Sequence, residues 1–211
     1  MSPARNPDDG SKAELDAAGA GDSQRLFVAL GVDEGVRGRL SRAARQVRRH
    51  LPKARWVPEQ NLHLTLVFLG DTWVSLIEGL HRELRAACVR IEPFDLRVWG
   101  LGVFPPRGSS RVLWAGLEAN GDLEGLQYSV VHAAGRAVGR ELRERRAFRP
   151  HVTLARCNPP WPPRAVARWR DAMGDFESEP FAVDEVLLMS SQLGGPAPQY
   201  RVVERYPLGG S

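Results

Sequence analysis

Four residues occur twice in nearly the same form, and they constrain this chain more than anything else in it. His63-Leu64-Thr65-Leu66 and His151-Val152-Thr153-Leu154 each place a His and a Thr two residues apart in an apolar, strand-like setting. Successive side chains of an extended chain point to opposite faces, so each His shares a face with its Thr while the aliphatic residues turn away. Similar elements precede each motif. A buried-looking strand, Arg25 to Leu30, leads into apolar residues at helical spacing (Val32, Val36, Leu40, Ala44, Val47, Leu51). Another, Arg111 to Leu117, leads into Leu123, Leu126, Val130, Ala134, Ala137, Val138 and Leu142. Phe27 stands 36 residues before His63, and Trp114 stands 37 before His151. Like elements at near-equal offsets indicate an internal duplication.

The rest of the chain fits that frame. Asp33 begins the first helix, whose outer face carries Arg37 to Arg49, and Pro52 ends it. Arg55 to Val57 is a short extended piece, and Asn61 to Leu69 is the first motif strand. Leu76 to Ile91 marks a second helix, Phe94 to Leu101 a strand and Phe104 to Gly108 a loop. In the second half, Arg149 to Arg156 is the motif strand and Asn158 to Pro163 a Pro-rich loop. A short helix around Ala165 to Met173, a strand from Phe181 to Ser190 and a last strand from Tyr200 to Tyr206 follow. Each half thus reads β-α-β-α-β. The expected fold is α+β and bilobal: two pseudo-symmetric lobes whose sheets line a central cleft. Residues 1–23, rich in Gly, Ala, Ser, Asp and Pro, read as a flexible tail, leaving 24–208 as a single bilobal domain.

Composition narrows the function classes. The 211 residues carry 43% hydrophobic and 26% charged side chains, ordinary for a globular protein, and contain no apolar run long enough to span a membrane. The polar N-terminus is no secretory signal, so a cytoplasmic location is expected. Cys88 and Cys157 make no disulfide framework. A net charge of +4 suits a polyanionic partner without proving one. Lys12 and Lys53 are the only lysines; genomic bias accounts better for most of the arginines than a phosphate site does. Interleaved acids such as Glu141 and Glu144 make solvated faces the simplest reading of the basic helices. His50, His81 and His132 fall on helices, away from the motifs.

The sequence lacks HExxH, GxSxG, GxxxxGK[ST] and GxGxxG. A His63/His151/Cys157 zinc site is a remote alternative. Two facing imidazoles suit metal-free acid-base catalysis, because near neutrality one can accept a proton while the other donates one. A phosphodiester needs both: a base for attacking water and an acid for the departing oxygen. The two Thr hydroxyls would hold the non-bridging oxygens. One His-x-Thr on a strand is usually half-buried packing, but two in matching places of a duplication are not. Symmetry alone leaves open which His is the acid.

These motifs, with Arg25-Leu26-Phe27-Val28-Ala29-Leu30, Arg55-Trp56-Val57 running on to Gly70, and Phe148-Arg149-Pro150 before His151, resemble the 2H phosphoesterase superfamily. Within it they resemble the bacterial and archaeal RNA 2′,3′-cyclic phosphodiesterases, also described as 2′-5′ RNA ligase-like. The resemblance, from Arg25 to Tyr206, implies His63 as proton donor, His151 as proton acceptor, Thr65 and Thr153 as phosphate ligands, and Arg156 as a further phosphate ligand. It implies RNA with a 2′,3′-cyclic phosphate end as substrate, a 2′-phosphate product and no cofactor or metal. No obligate protein partner is expected, and a monomer is the default. Strand parity puts Arg156 on the face opposite His151 unless the strand bulges. Phe27 and Trp56 are candidates for stacking a base, though core packing is the simpler role for Phe27. Alternatives are a 2′-5′ RNA ligase, a phosphodiesterase of small cyclic or 2′-5′-linked nucleotides and, less fitting to two intact motifs, a non-catalytic RNA-binding module.

Overall fold

The computed structural model describes residues 22–48, 51, 53–118, 120–142, 147–173, 176–192 and 199–209. Nearly all of the proposed tail, together with His50, Arg49 and Glu144, lies outside the described residues. Strand β1 is Ser23–Gly31, followed by helix α1 (Glu34–Val47), the two-residue β2 (Arg55–Trp56) and a 3-10 turn (Glu59–Asn61). Then come β3 (His63–Trp73), a second 3-10 turn, α2 (Ile77–Cys88), β4 (Phe94–Leu96) and β5 (Val98–Phe104). The second half runs β6 (Ser110–Leu117), α3 (Gly121–Val138), β7 (His151–Trp161), α4 (Pro163–Met173), β8 (Phe181–Val183) and β9 (Glu185–Gln192), with β10 (Gln199–Pro207) last.

Helix boundaries follow local chemistry. The Asp33 carboxylate accepts the Val36 amide at 3.1 Å, and the Asn120 side-chain oxygen accepts the Leu123 amide at 3.0 Å. Each cap satisfies a donor the helix leaves open, worth about 1 kcal/mol. Gly139 ends α3 with φ 66°, a left-handed conformation that glycine adopts without strain.

The main sheet is eight-stranded, in the order β10-β9-β1-β3-β7-β6-β5, with β2 also on β7; β4 and β8 form a separate pair. Paired strands run antiparallel throughout, and β3 meets β7 at one register position, Leu64 opposite Val152. The sheet is thus nearly divided there, giving the two lobes. Each lobe borrows a strand from the other half of the sequence: β9 lies against β1, and β5 against β6. Helices are shared in the same way, α2 packing on α3 and α1 on α4.

Two strand assignments split in matching places. Phe94 to Leu101 breaks at Arg97 into β4 and β5, and Phe181 to Ser190 breaks at Asp184 into β8 and β9, each sending its first piece to the small sheet. Of the two expected loops, the first begins one residue later because Phe104 closes β5, with Pro105 to Gly108 in bends, and the second is largely strand, Asn158 to Trp161 continuing β7. The main core lies between one sheet face and the helices, built on residues such as Leu40, Leu64, Leu80, Leu84, Leu126 and Val152. Full burial of each such leucine contributes about 1.5–3 kcal/mol. The opposite face carries a small apolar cluster, Phe27, Ala29, Leu187 and Met189 with Tyr200 against it.

Candidate active site

The contact of β3 with β7 brings the two motifs together. In an antiparallel pair centred on Leu64 and Val152, His63 lies opposite Thr153 and Thr65 opposite His151. The four side chains outline a rectangle on the face away from the helices, with the imidazoles on one diagonal and the hydroxyls on the other. Leu64, Leu66, Val152 and Leu154 point into the main core and fix the plane of both strands.

Each imidazole is anchored in the same way. His63 Nδ1 lies 2.7 Å from the Asn61 carbonyl oxygen, and His151 Nδ1 lies 2.7 Å from the Arg149 carbonyl oxygen. A carbonyl can only accept, so Nδ1–H is the donor in both rings and Nε2 is the nitrogen left for chemistry. His63 Nε2 is 3.1 Å from Thr65 Oγ1; in the neutral ring the hydroxyl donates to it. Burial lowers the His63 pKa most. The carbonyl of Asn61 opposes that effect, and the charges of Arg156 and His151 lower it further. Arg156 and His151 are therefore electrostatic neighbours of His63.

Arg156 reaches this face through a bulge. On β6, Trp114 pairs with Thr153 and Leu113 with Ala155, so Leu154 has no partner there. Leu154 and Ala155 are both buried, and parity shifts by one, returning Arg156 to the side of His151. The first half contains the same device: Ala29 pairs with Thr65 and Val28 with Val67, skipping Leu66, which returns Phe68 to the histidine face. Phe68, 57% exposed beside Phe27, escapes a reading of the sequence for the same parity reason that complicates Arg156.

Aromatic rings flank both histidines. Phe27 and Tyr200 lie 5.0 and 5.3 Å from the His63 ring, and Phe104 and Trp114 lie 5.1 and 6.3 Å from the His151 ring. Tyr200 comes from β10, and Phe104 was expected in a loop; no motif marks either. Phe27 is only 2% exposed and packs on His63, so it walls the imidazole and offers no surface to a base. Trp56 pairs with Ala155 and packs on the main core, on the far side of the sheet from the histidines. Cys157 is buried against that same core, which separates it from His63 and His151. His81 Nδ1 lies 2.6 Å from the Tyr206 hydroxyl, and His132 lies against Tyr128.

A nearly divided antiparallel sheet, helices on one face and paired His-x-Thr strands on the other define a 2H phosphoesterase. The chain belongs to the 2′-5′ RNA ligase superfamily, whose family model matches residues 36–195. Among its relatives, a Thermus thermophilus protein named RNA 2′,3′-cyclic phosphodiesterase is 35% identical over 88% of this chain and 91% of its own length. One of the same name from Methanothermobacter thermautotrophicus is 30% identical over 87% and 98%. A third, from Geobacillus stearothermophilus, is 30% identical over 88% of this chain, which spans 57% of that longer protein. A crystal structure of a Thermus thermophilus protein superposes with TM-score 0.72 and 32% identity, covering 88% of this chain and 98% of its own. Escherichia coli LigT complexed with 3′-AMP gives TM-score 0.68 and 25% identity, covering 89% and 99%.

No helix among the described residues is long and apolar enough to cross a membrane.

Proposed function

We propose that this protein is an enzyme that hydrolyses 2′,3′-cyclic phosphate ends of RNA to 2′-phosphomonoester ends by metal-independent, paired-histidine acid-base catalysis. The observation that carries the reading is the cross-strand rectangle of His63, Thr65, His151 and Thr153, with both Nδ1 atoms tied to main-chain carbonyls. A phosphate above Leu64 and Val152 has an imidazole toward either end, as an in-line displacement requires. His151 Nε2 takes a proton from water as the water oxygen bonds to phosphorus. The bond from phosphorus to the 3′ oxygen breaks, and His63, protonated at Nε2, gives that oxygen its proton. The two hydroxyls and Arg156 hold the non-bridging oxygens, where charge must be stabilised. Names of the relatives support the RNA substrate and the cyclic phosphate, and a nucleotide complex of a structural neighbour supports a nucleotide in the cleft.

All four motif residues come from one chain, so a monomer within the single bilobal unit of residues 24–208 suffices, acting on RNA in the cytoplasm. The test is incubation of an oligoribonucleotide ending in a 2′,3′-cyclic phosphate with the protein in EDTA. The expected product ends in a 2′-phosphate. A 3′-phosphate product overturns the polarity, and loss of turnover in EDTA overturns metal independence.

A further inference from the structure

Strand β2 is two residues long, and its register gives it a use. Arg55 pairs with Arg156, Trp56 pairs with Ala155, and the Val57 amide donates to the Leu154 carbonyl at 2.9 Å. Trp56 faces the core, so alternation puts Arg55 on the histidine face, directly beside Arg156. Both arginines are exposed. Like charges directly opposite each other are destabilising, and cross-strand Cβ atoms sit only about 4.5–5.5 Å apart. Among the described residues neither guanidinium has an ion pair with a carboxylate. Strands β2, β6 and β7 contain no Asp or Glu at all. A like-charge pair with no acid on its strands suits a bound anion.

The position of that anion follows from the reacting phosphate. Arg156 lies three residues beyond Thr153, about 7–10 Å along the strand at ~3.3 Å per residue. Arg55 lies one strand further out, on β2. At an RNA 3′ end, the next negative group after the cyclic phosphate is the phosphodiester on the 5′ side of the same nucleoside. We propose that Arg55, on the outer side of Arg156, forms a second phosphate subsite for that phosphodiester while Arg156 serves the reacting phosphate, which makes RNA chains better substrates than nucleoside cyclic phosphates. The proposal rests on the reaction above for the placement of the first phosphate.

The test compares a tetraribonucleotide ending in a 2′,3′-cyclic phosphate with a nucleoside 2′,3′-cyclic phosphate. Arg55→Ala is expected to lower kcat/KM about tenfold on the tetranucleotide, chiefly through KM, and less than twofold on the nucleoside. Replacing the terminal phosphodiester by a neutral methylphosphonate should cost the parent protein a similar factor and the variant almost nothing. Binding of a labelled tetranucleotide ending in a 2′-phosphate, followed by anisotropy, should lose about 0.7 from its salt slope in the variant. Arg82→Ala, on the exposed side of α2, serves as the control for net charge. Removing a like charge opposite Arg156 should leave the melting temperature no lower than that of the parent. Equal losses on both substrates, or an indifferent methylphosphonate, overturn the subsite. If neither cyclic substrate turns over, the reaction is wrong, while the anisotropy comparison still decides whether Arg55 binds the phosphodiester.

Discussion

The two halves of the site share a skeleton and differ in what surrounds it. Gly31 lies opposite His63 and Gly116 opposite His151, and each motif strand bulges at the leucine after its threonine. From that frame the equivalents diverge: Ala29 matches Trp114, Phe27 matches Val112, and Phe68 matches Arg156. The first half flanks its imidazole with the buried Phe27 and the partly buried Tyr200, and the bulge after Thr65 delivers the apolar Phe68. The second half delivers a guanidinium. Its Trp114 indole occupies the space that a Cβ on Gly102 would need, so the second half requires glycine there. A duplicated frame supplies two imidazoles anchored alike, and divergence around it supplies the electrostatic asymmetry that the unlike proton roles of the proposed reaction require.

The strongest test of that asymmetry is chemical. His63→Ala and His151→Ala should each reduce turnover about 10²–10⁴-fold, the usual scale of a lost acid or base. A cyclic ester with sulfur at the 3′ bridging position has a leaving group that needs no proton. It should restore turnover to His63→Ala and leave His151→Ala inactive; the reverse rescue pattern would exchange the roles. A smaller effect is expected for Gly102→Ala, whose new methyl meets the Trp114 indole. Overpacking of this kind costs about 1–3 kcal/mol, read as a lower denaturant midpoint with reduced activity. Gly31→Ala, where the nearest atom to a new Cβ is 3.8 Å away, should be far milder.

The smallest effect concerns His63 itself. Burial first, and the charges of Arg156 and His151 after it, hold its pKa below the ordinary 6.5. By NMR its titration midpoint should lie below that value and move upward in Arg156→Gln, because one charge opposing the imidazolium is gone. An unchanged or lower midpoint would separate Arg156 from His63. The folded protein resists a proton that the unfolded chain accepts, so this group lowers stability as pH falls below about 6.5 and has no such effect well above it. A bound phosphate anion would act in the opposite direction and favour the protonated His63 that the proposed acid role needs.

The near-equal offsets from Phe27 and Trp114 pointed to a true duplication through residues that are not equivalent. The matched glycines stand 32 and 35 residues before their histidines. Elements were recognisable because periodicity and caps are local; equivalence was not, because register belongs to the sheet. For the same reason the candidate site was legible in its four motif residues and incomplete around them. Phe68 carries no mark in the sequence and parity alone does not fix the face of Arg156, since a bulge shows only in the partner strand's pairing. Tyr200 and Phe104 arrive from distant strands, and Trp56 turned out to face the core because β2 pairs with β7.

By itself the sequence determined the internal repeat, the α+β class, the helices with their Asp33 start, and the His-x-Thr words, because alternation and helical spacing act over a few residues. Only the tertiary structure decided that β5 and β9 exchange lobes, that β3 meets β7 at Leu64 and Val152, and that the bulges swing Arg156 and Phe68 onto the histidine face. Those outcomes depend on which strands pair and in what register, and hydrogen bonds between residues far apart in sequence set both.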